Sequence, residues 1–198
     1  TALLGNSSNT TGINNTIAIG YEALKALTTG EGNTAVGAWA GYATTTAGFN
    51  TALGYKAMAN SVTAASNTVI GYEAGKNIGI DGASTDNIII GKQAMDAANG
   101  LELNNIAIGV DALGAMDEGG SDNCDNNVCI GTAAGLSGSA EFRNNVAIGH
   151  QALDATSTND MEGAVAIGYQ ALTALTTGAG NVAIGYQCLM GETDVYTG

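Results

Sequence analysis

The sequence predicts a mainly β protein: a parallel β-solenoid, or β-roll, of about ten coils of 17–22 residues, with room for one short helical turn per coil. Two observations predict it. The first is a phrase that keeps returning, seen most clearly as Asn181-Val182-Ala183-Ile184-Gly185. Near-copies end at Gly20, Gly37, Gly54, Gly71, Gly91, Gly109, Gly131, Gly149, Gly168 and Gly185, a nearly even spacing along the whole chain. The second is composition. The 198 residues include 30 Gly and no Pro, and a proline would remove a ladder donor from strands paired on both sides.

Each repeat position has a chemical character. Four before the glycine stands Asn in eight of ten copies (Asn33, Asn50, Asn67, Asn87, Asn105, Asn127, Asn145 and Asn181), with Thr16 and Ala164 as departures. Three before, every residue is β-branched; two before, seven are Ala; one before, all are Ile, Val or Leu. β-Branched residues favour extended backbone, so this half is a strand. Its side chains alternate between faces. The larger ones, such as Val182 and Ile184, are expected to fill the coil, with the Ala row turned outward. The glycine permits a sharp bend. The Asn serves a turn, or stacks on the Asn one coil away as a ladder.

The half after the glycine is open to two readings. Ala stands three after it in nine copies, with Cys188 in the tenth, followed by Leu, Met or Gly. Stretches such as Glu22-Ala23-Leu24-Lys25-Ala26-Leu27 use good helix formers. A second short strand competes, favoured where Gly41, Gly75 and Gly135 replace the Leu.

A continuous repeat makes residues 1–198 one array. Thr1-Ala2-Leu3 reads as the Ala-Leu of a coil already under way, so the chain is expected to be a fragment of a longer fibre protein. Coils stacked at the strand spacing of ~4.8 Å make a rod roughly 50 Å long. Its core of Ile, Val, Leu and Ala leaves little room for a deep pocket.

Charge removes some function classes. There are 18 Asp and Glu against five Lys and Arg, a net charge of −13. Such a chain has little with which to neutralise phosphates or an anionic lipid surface, so neither nucleic acid nor a membrane is an expected partner. No run of apolar residues is long enough to insert. Three cysteines make no disulfide framework; Cys129 and Cys188 replace Ala and read as small buried thiols, whereas Cys124 sits in an insertion and is open. His150, the single histidine, stands where other coils have Tyr. No catalytic residue, metal ligand set or cofactor motif emerges, and the chain is read as a non-enzyme.

Three residue sets are candidate surfaces. Tyr21, Tyr55, Tyr72, Tyr169 and Tyr186 directly follow a repeat glycine and fall on one line of a solenoid. They form either a stacked ladder shielding the coil edge or an aromatic strip that touches sugar or protein. The interval before Gly131 is the longest, and there Asp117, Glu118, Asp122 and Asp125 make the most acidic stretch, without the order of a calcium loop. This segment, 117–125, and the other insertion, 78–82, are expected to be surface loops, and deletion of 117–125 to leave folding largely intact. Finally, the row Ala18, Ala35, Ala52, Ala107, Ala147, Ala166 and Ala183, turned outward, would bury itself against another copy; identical contacts close by symmetry.

Asn145-Val146-Ala147-Ile148-Gly149-His150-Gln151-Ala152 resembles the head repeats of YadA-like trimeric autotransporter adhesins. The longer form, from Gly168-Tyr169-Gln170-Ala171-Leu172 through Thr176-Thr177-Gly178 to Gly185, is similar to repeats of bacteriophage tail fibres. The resemblance spans nearly the whole chain. It implies a homotrimeric extracellular fibre, on a virion or a bacterial surface, that projects or attaches to an unidentified host-surface receptor such as a glycan. Adhesin head repeats are shorter than these, which implies a different coil cross-section here. Two rivals from other classes stay open. Left-handed β-helix acyltransferases use Ile-Gly-x-x-Ala hexapeptides, but only one hexapeptide per coil matches. Ice or mineral binding would use a flat Thr array, and Thr34, Thr51 and Thr68 give one short row.

Overall fold

The computed structural model describes residues 14–80, 82–115, 123–136, 141–154, 160–173 and 179–191. The ten repeat strands form one parallel sheet. They are β1 (Ile17–Ile19), β2 (Thr34–Val36), β3 (Thr51–Leu53), β4 (Thr68–Ile70), β5 (Ile88–Ile90), β7 (Ile106–Ile108), β9 (Val128–Ile130), β11 (Val146–Ile148), β13 (Val165–Ile167) and β14 (Val182–Ile184), in that spatial order. Register is strict: Ile17 faces Thr34, Ala18 faces Ala35, and the same repeat positions pair through to Ile167 and Ile184. The expected solenoid of in-register parallel strands is present.

The expected facing is reversed. Ala18, Ala35, Ala52, Ala107, Ala147, Ala166 and Ala183 all lie in the core of a single chain, while Val182 and Ile184, on either side of the fully buried Ala183, are 60% and 65% exposed. The Ala row is therefore the coil interior and cannot be a trimer interface. Cross-section is the reason. The strand's inward side chain shares the interior with the Ala three after the glycine and the Leu or Met four after it, which are buried in nearly every coil; the inward position is Ala in seven coils and Val69, Ile89 or Cys129 in the other three.

Volumes at these inward positions compensate one another. Where Val69 replaces the strand Ala, Gly75 replaces the Leu, and it makes room for Ile89 of the next coil as well: a Cβ at Gly75 would lie 3.2 Å from both Val69 Cγ1 and Ile89 Cδ1. Where Cys129 replaces it, Gly135 does the same, and a Cβ there would lie 2.5 Å from Cys129 Sγ. Dense packing leaves no spare methyl-sized space at either position.

No helical turn occurs among the described residues. After the glycine the chain runs through turns whose amides bond to the neighbouring coil: Leu24 N–H donates to Ala40 O (3.0 Å), Gly41 N–H to Ala57 O (2.9 Å) and Met58 N–H to Ala74 O (3.1 Å). The residues two and four after every repeat glycine have positive φ, from Glu22 (54°) and Leu24 (50°) to Gln187 (51°) and Leu189 (53°). Gly41, Gly75 and Gly135 thus occupy the same left-handed site as the Leu residues and mark no strand. A left-handed Leu costs ~1–2 kcal/mol. Burying its side chain returns ~1.5–3 kcal/mol, which is why Leu persists there.

A second strand does exist, but elsewhere. β6 (Leu101–Leu103), β8 (Asn123–Asp125), β10 (Phe142–Arg143) and β12 (Met161–Glu162) form a four-stranded parallel sheet in the order β12-β10-β8-β6. A single corner residue separates each of the four from a repeat Asn position, at Asn105, Asn127, Asn145 and Ala164. In the earlier coils Ala65 and Thr85 continue the line as single bridges, Ala65 to Thr85 and Thr85 to Leu103 of β6.

The Asn corner is a buried ladder. Asn50 donates its backbone N–H (3.0 Å) and its Nδ2 (3.2 Å) to Asn33 Oδ1, and Nδ2 also donates to Ala64 O (2.8 Å). The same pattern recurs at Asn67, Asn87, Asn105, Asn127 and Asn145. At Ala164 the side chain is lost, but its N–H still donates to Asn145 Oδ1 (2.9 Å).

Candidate functional site

Two surfaces stand out on the coil. The first is the aromatic column. Each repeat glycine bends the chain at the strand's end, and the next residue is thrown to the outside one coil spacing from its counterpart. Tyr21, Tyr55, Tyr72, Tyr169 and Tyr186 are all exposed there, in two separate runs. In the first, Tyr55 stacks on Tyr72 with ring centroids 5.3 Å apart. The coil between Tyr21 and Tyr55 has Ala38 at the Tyr position, and Trp39, one residue on, fills the gap edge-on to both (5.3 and 5.5 Å). In the second run His150, Tyr169 and Tyr186 stack at 5.4 and 5.2 Å. His150 is thus a surface member of the column. Between the runs stand Lys92, Val110 and Thr132. Trp39 escaped the sequence reading because it lies one position out of phase.

The second surface is the outer face of the ten-stranded sheet. Its two columns, three and one before each glycine, hold twenty side chains: seventeen Ile, Val or Leu, and Thr34, Thr51 and Thr68. Ile17, Ile19, Leu53, Ile88, Ile130, Val182 and Ile184 are exposed, and the others are half-buried by their neighbours along the column. No charged side chain interrupts this face.

The acidic stretch is not one loop. Asp117, Glu118 and Asp122 lie outside the described residues. Asp125 belongs to β8, where its Oδ1 accepts the Leu103 N–H at 2.9 Å and burial pushes its carboxyl above the usual range. The neighbouring Cys124 is fully buried in the core. The insertion at 78–82 is likewise mixed: Ile78 is a core residue and Ile80 is exposed. Extra residues in this fold have partly gone into the coil itself.

Sulfur chemistry is muted. Cys129 is fully buried and burial raises its thiol far above the ordinary value; no disulfide joins the three cysteines. Among the described residues no group of three or more His, Cys, Asp or Glu side chains could hold a metal ion, and no helix is long and apolar enough to cross a membrane.

One buried acid was not anticipated. Glu102, in β6, is fully buried. Its Oε1 accepts the Gly100 N–H at 2.7 Å, and Oε2 meets Ser84 Oγ. Burial raises its pKa, against the opposing hydrogen bonds, and the nearby Asp125 charge adds to the rise.

No protein-family model, curated protein or solved structure matches the chain.

Proposed function

We propose that this chain is a non-catalytic segment of an extracellular fibre that self-associates as a homotrimer through the outer face of its ten-stranded sheet, and that the fibre projects or attaches to a surface. The observation that carries the reading is the apolar face. A sheet face in contact with water alternates to polar residues, whereas this one presents two unbroken columns of aliphatic and Thr side chains. Nine steps of ~4.8 Å between its ten strands make it roughly 40 Å from the first strand to the last. Contiguous apolar surface on that scale marks an interaction site. A second copy is the natural cover, because a flat column with a fixed repeat meets its own spacing in an identical chain, and such contacts close by symmetry. The number three and the extracellular setting come from the resemblance to YadA-like adhesin heads and tail-fibre repeats.

Outer-face residues of β7 and β11 give a direct test. The double variant Ile108→Glu/Ile148→Glu places charge on the outer face and is expected to yield a folded, β-rich monomer. Ala107→Glu places the same charge inside the coil and is expected to abolish the fold. Circular dichroism and sedimentation velocity read the two outcomes. An outer-face variant that sediments as the unaltered assembly does would sink the reading.

A further inference from the structure

The chain concentrates its scarce positive charge at one place. Only five Lys and Arg stand against 18 Asp and Glu, yet two of the five, Lys56 and Lys76, line a single open cleft of about 300 Å³ with Trp39, Tyr42, Tyr55, Ala59 and Asn60. None of these lining residues is a carboxylate. The repeat builds this cleft. Tyr42, Ala59 and Lys76 occupy one column, five after successive glycines, so small Ala59 leaves a gap between two long neighbours. Trp39 and Lys56 occupy the facing column, two after the glycine. Lys56 Nζ sits 5.2 Å from the Tyr55 ring centroid and 5.9 Å from that of Trp39. Its acidic partner, Glu73, is shared with Lys76 at 3.9 Å from each ammonium, so the two cations share one carboxylate; Glu22 Oε2 accepts the Trp39 indole N–H at 3.1 Å.

We infer that this cleft binds a carboxylated saccharide unit. Aromatic walls suit the apolar face of a sugar ring, and a few placed polar groups fix its orientation. Two ammoniums supply point charges for the carboxylate, and Asn60, whose Nδ2 donates to Asn77 Oδ1 at 2.7 Å, offers its Oδ1 as an acceptor for hydroxyls. A neutral sugar would give the two ammoniums no counter-charge. The inference gives a ligand class to the attachment reading, and rests on that reading for its biological use alone.

Trp39 is the chain's single tryptophan, so intrinsic fluorescence reports on the cleft itself. Titration with glucuronic acid or N-acetylneuraminic acid is expected to give a saturable change that weakens with added salt, while glucose binds at least about tenfold more weakly. Lys56→Gln adopts a residue that four other coils carry at the same left-handed position (Gln93, Gln151, Gln170 and Gln187), and Lys76→Ala copies Ala59. The double variant should fold as the parent does and lose acidic-sugar binding about tenfold or more. Three results would overturn the inference: no saturable change up to about 50 mM sugar, equal binding of glucose, or equal binding of a tetraglutamate peptide. Sedimentation of the same sample separates the two readings. A trimer that binds no acidic sugar removes this inference alone, and a monomer that binds it removes the self-association alone.

Discussion

At the scale of single residues, the repeat glycine is the most constrained position. Gly109 has φ +140°, and a Cβ there would stand 2.3 Å from the Gly131 carbonyl oxygen of the next coil. Gly185 has nearly the same φ, +134°, but its Cβ would meet only Cys188 Cβ at 3.9 Å. The two sites separate backbone strain from steric overlap. Gly185→Ala should cost ~1–3 kcal/mol from strain. Gly109→Ala should cost more than about 4 kcal/mol, because backbone must move. Equal losses in chemical denaturation would contradict this. Glu102 makes a second prediction at this scale. Its pKa in the folded chain lies above the unfolded value, so its contribution is most favourable below the unfolded pKa and is lost as pH rises through the folded pKa. A protonated Glu102 can donate to Ser84 Oγ, which in turn donates to Gly100 O at 3.2 Å. Glu102→Gln should therefore raise the melting temperature at pH 7.5 more than at pH 4.5. A larger gain at the acid end would show the opposite linkage.

At the scale of elements, strand positions and their register were legible in the sequence, because a glycine at each near-regular interval and a β-branched residue three before it leave little freedom. Which strand face turns inward was not legible from size alone. The rule that larger apolar side chains go inside fails because the Leu or Met of the following turn already fills most of the interior beside the strand, although Val69 and Ile89 are held there. The signal was present in the exchange of volume between Val69 and Gly75 and between Cys129 and Gly135, and in the Asn that shares a face with the Ala. The turn after the glycine was hidden for another reason: Leu and Gly there serve one left-handed conformation that propensity disfavours for Leu. Trp39 and Glu102 were missed because each breaks the repeat, and a consensus discards such residues. The placement of β8 also revises the deletion of 117–125. Removing these residues takes Asn123–Asp125 out of the sheet between β6 and β10 and Cys124 out of the core. The deleted protein should lose several kcal/mol of stability, about that of a large cavity with broken strand pairing. A melting curve unchanged by the deletion would mean that β8 is dispensable.

At the scale of the whole molecule, the coil is held by four parallel devices: the main sheet, the four-stranded sheet, the inter-coil turn bonds and the Asn ladder. All of them connect each coil only to its neighbours, so stability is a sum over coils and interfaces. The same linear repetition writes identical columns on the outside: apolar along the main sheet, aromatic along the bend, and basic at one cleft. Only the first is long and continuous enough to join copies along the rod. The chain mass is 19.6 kDa, so the most direct measurement is sedimentation equilibrium of the unaltered protein at micromolar concentration. A single species at three times the chain mass is the expected result. A species with the mass of one chain, its Ile and Val columns open to water, would contradict self-association through this face.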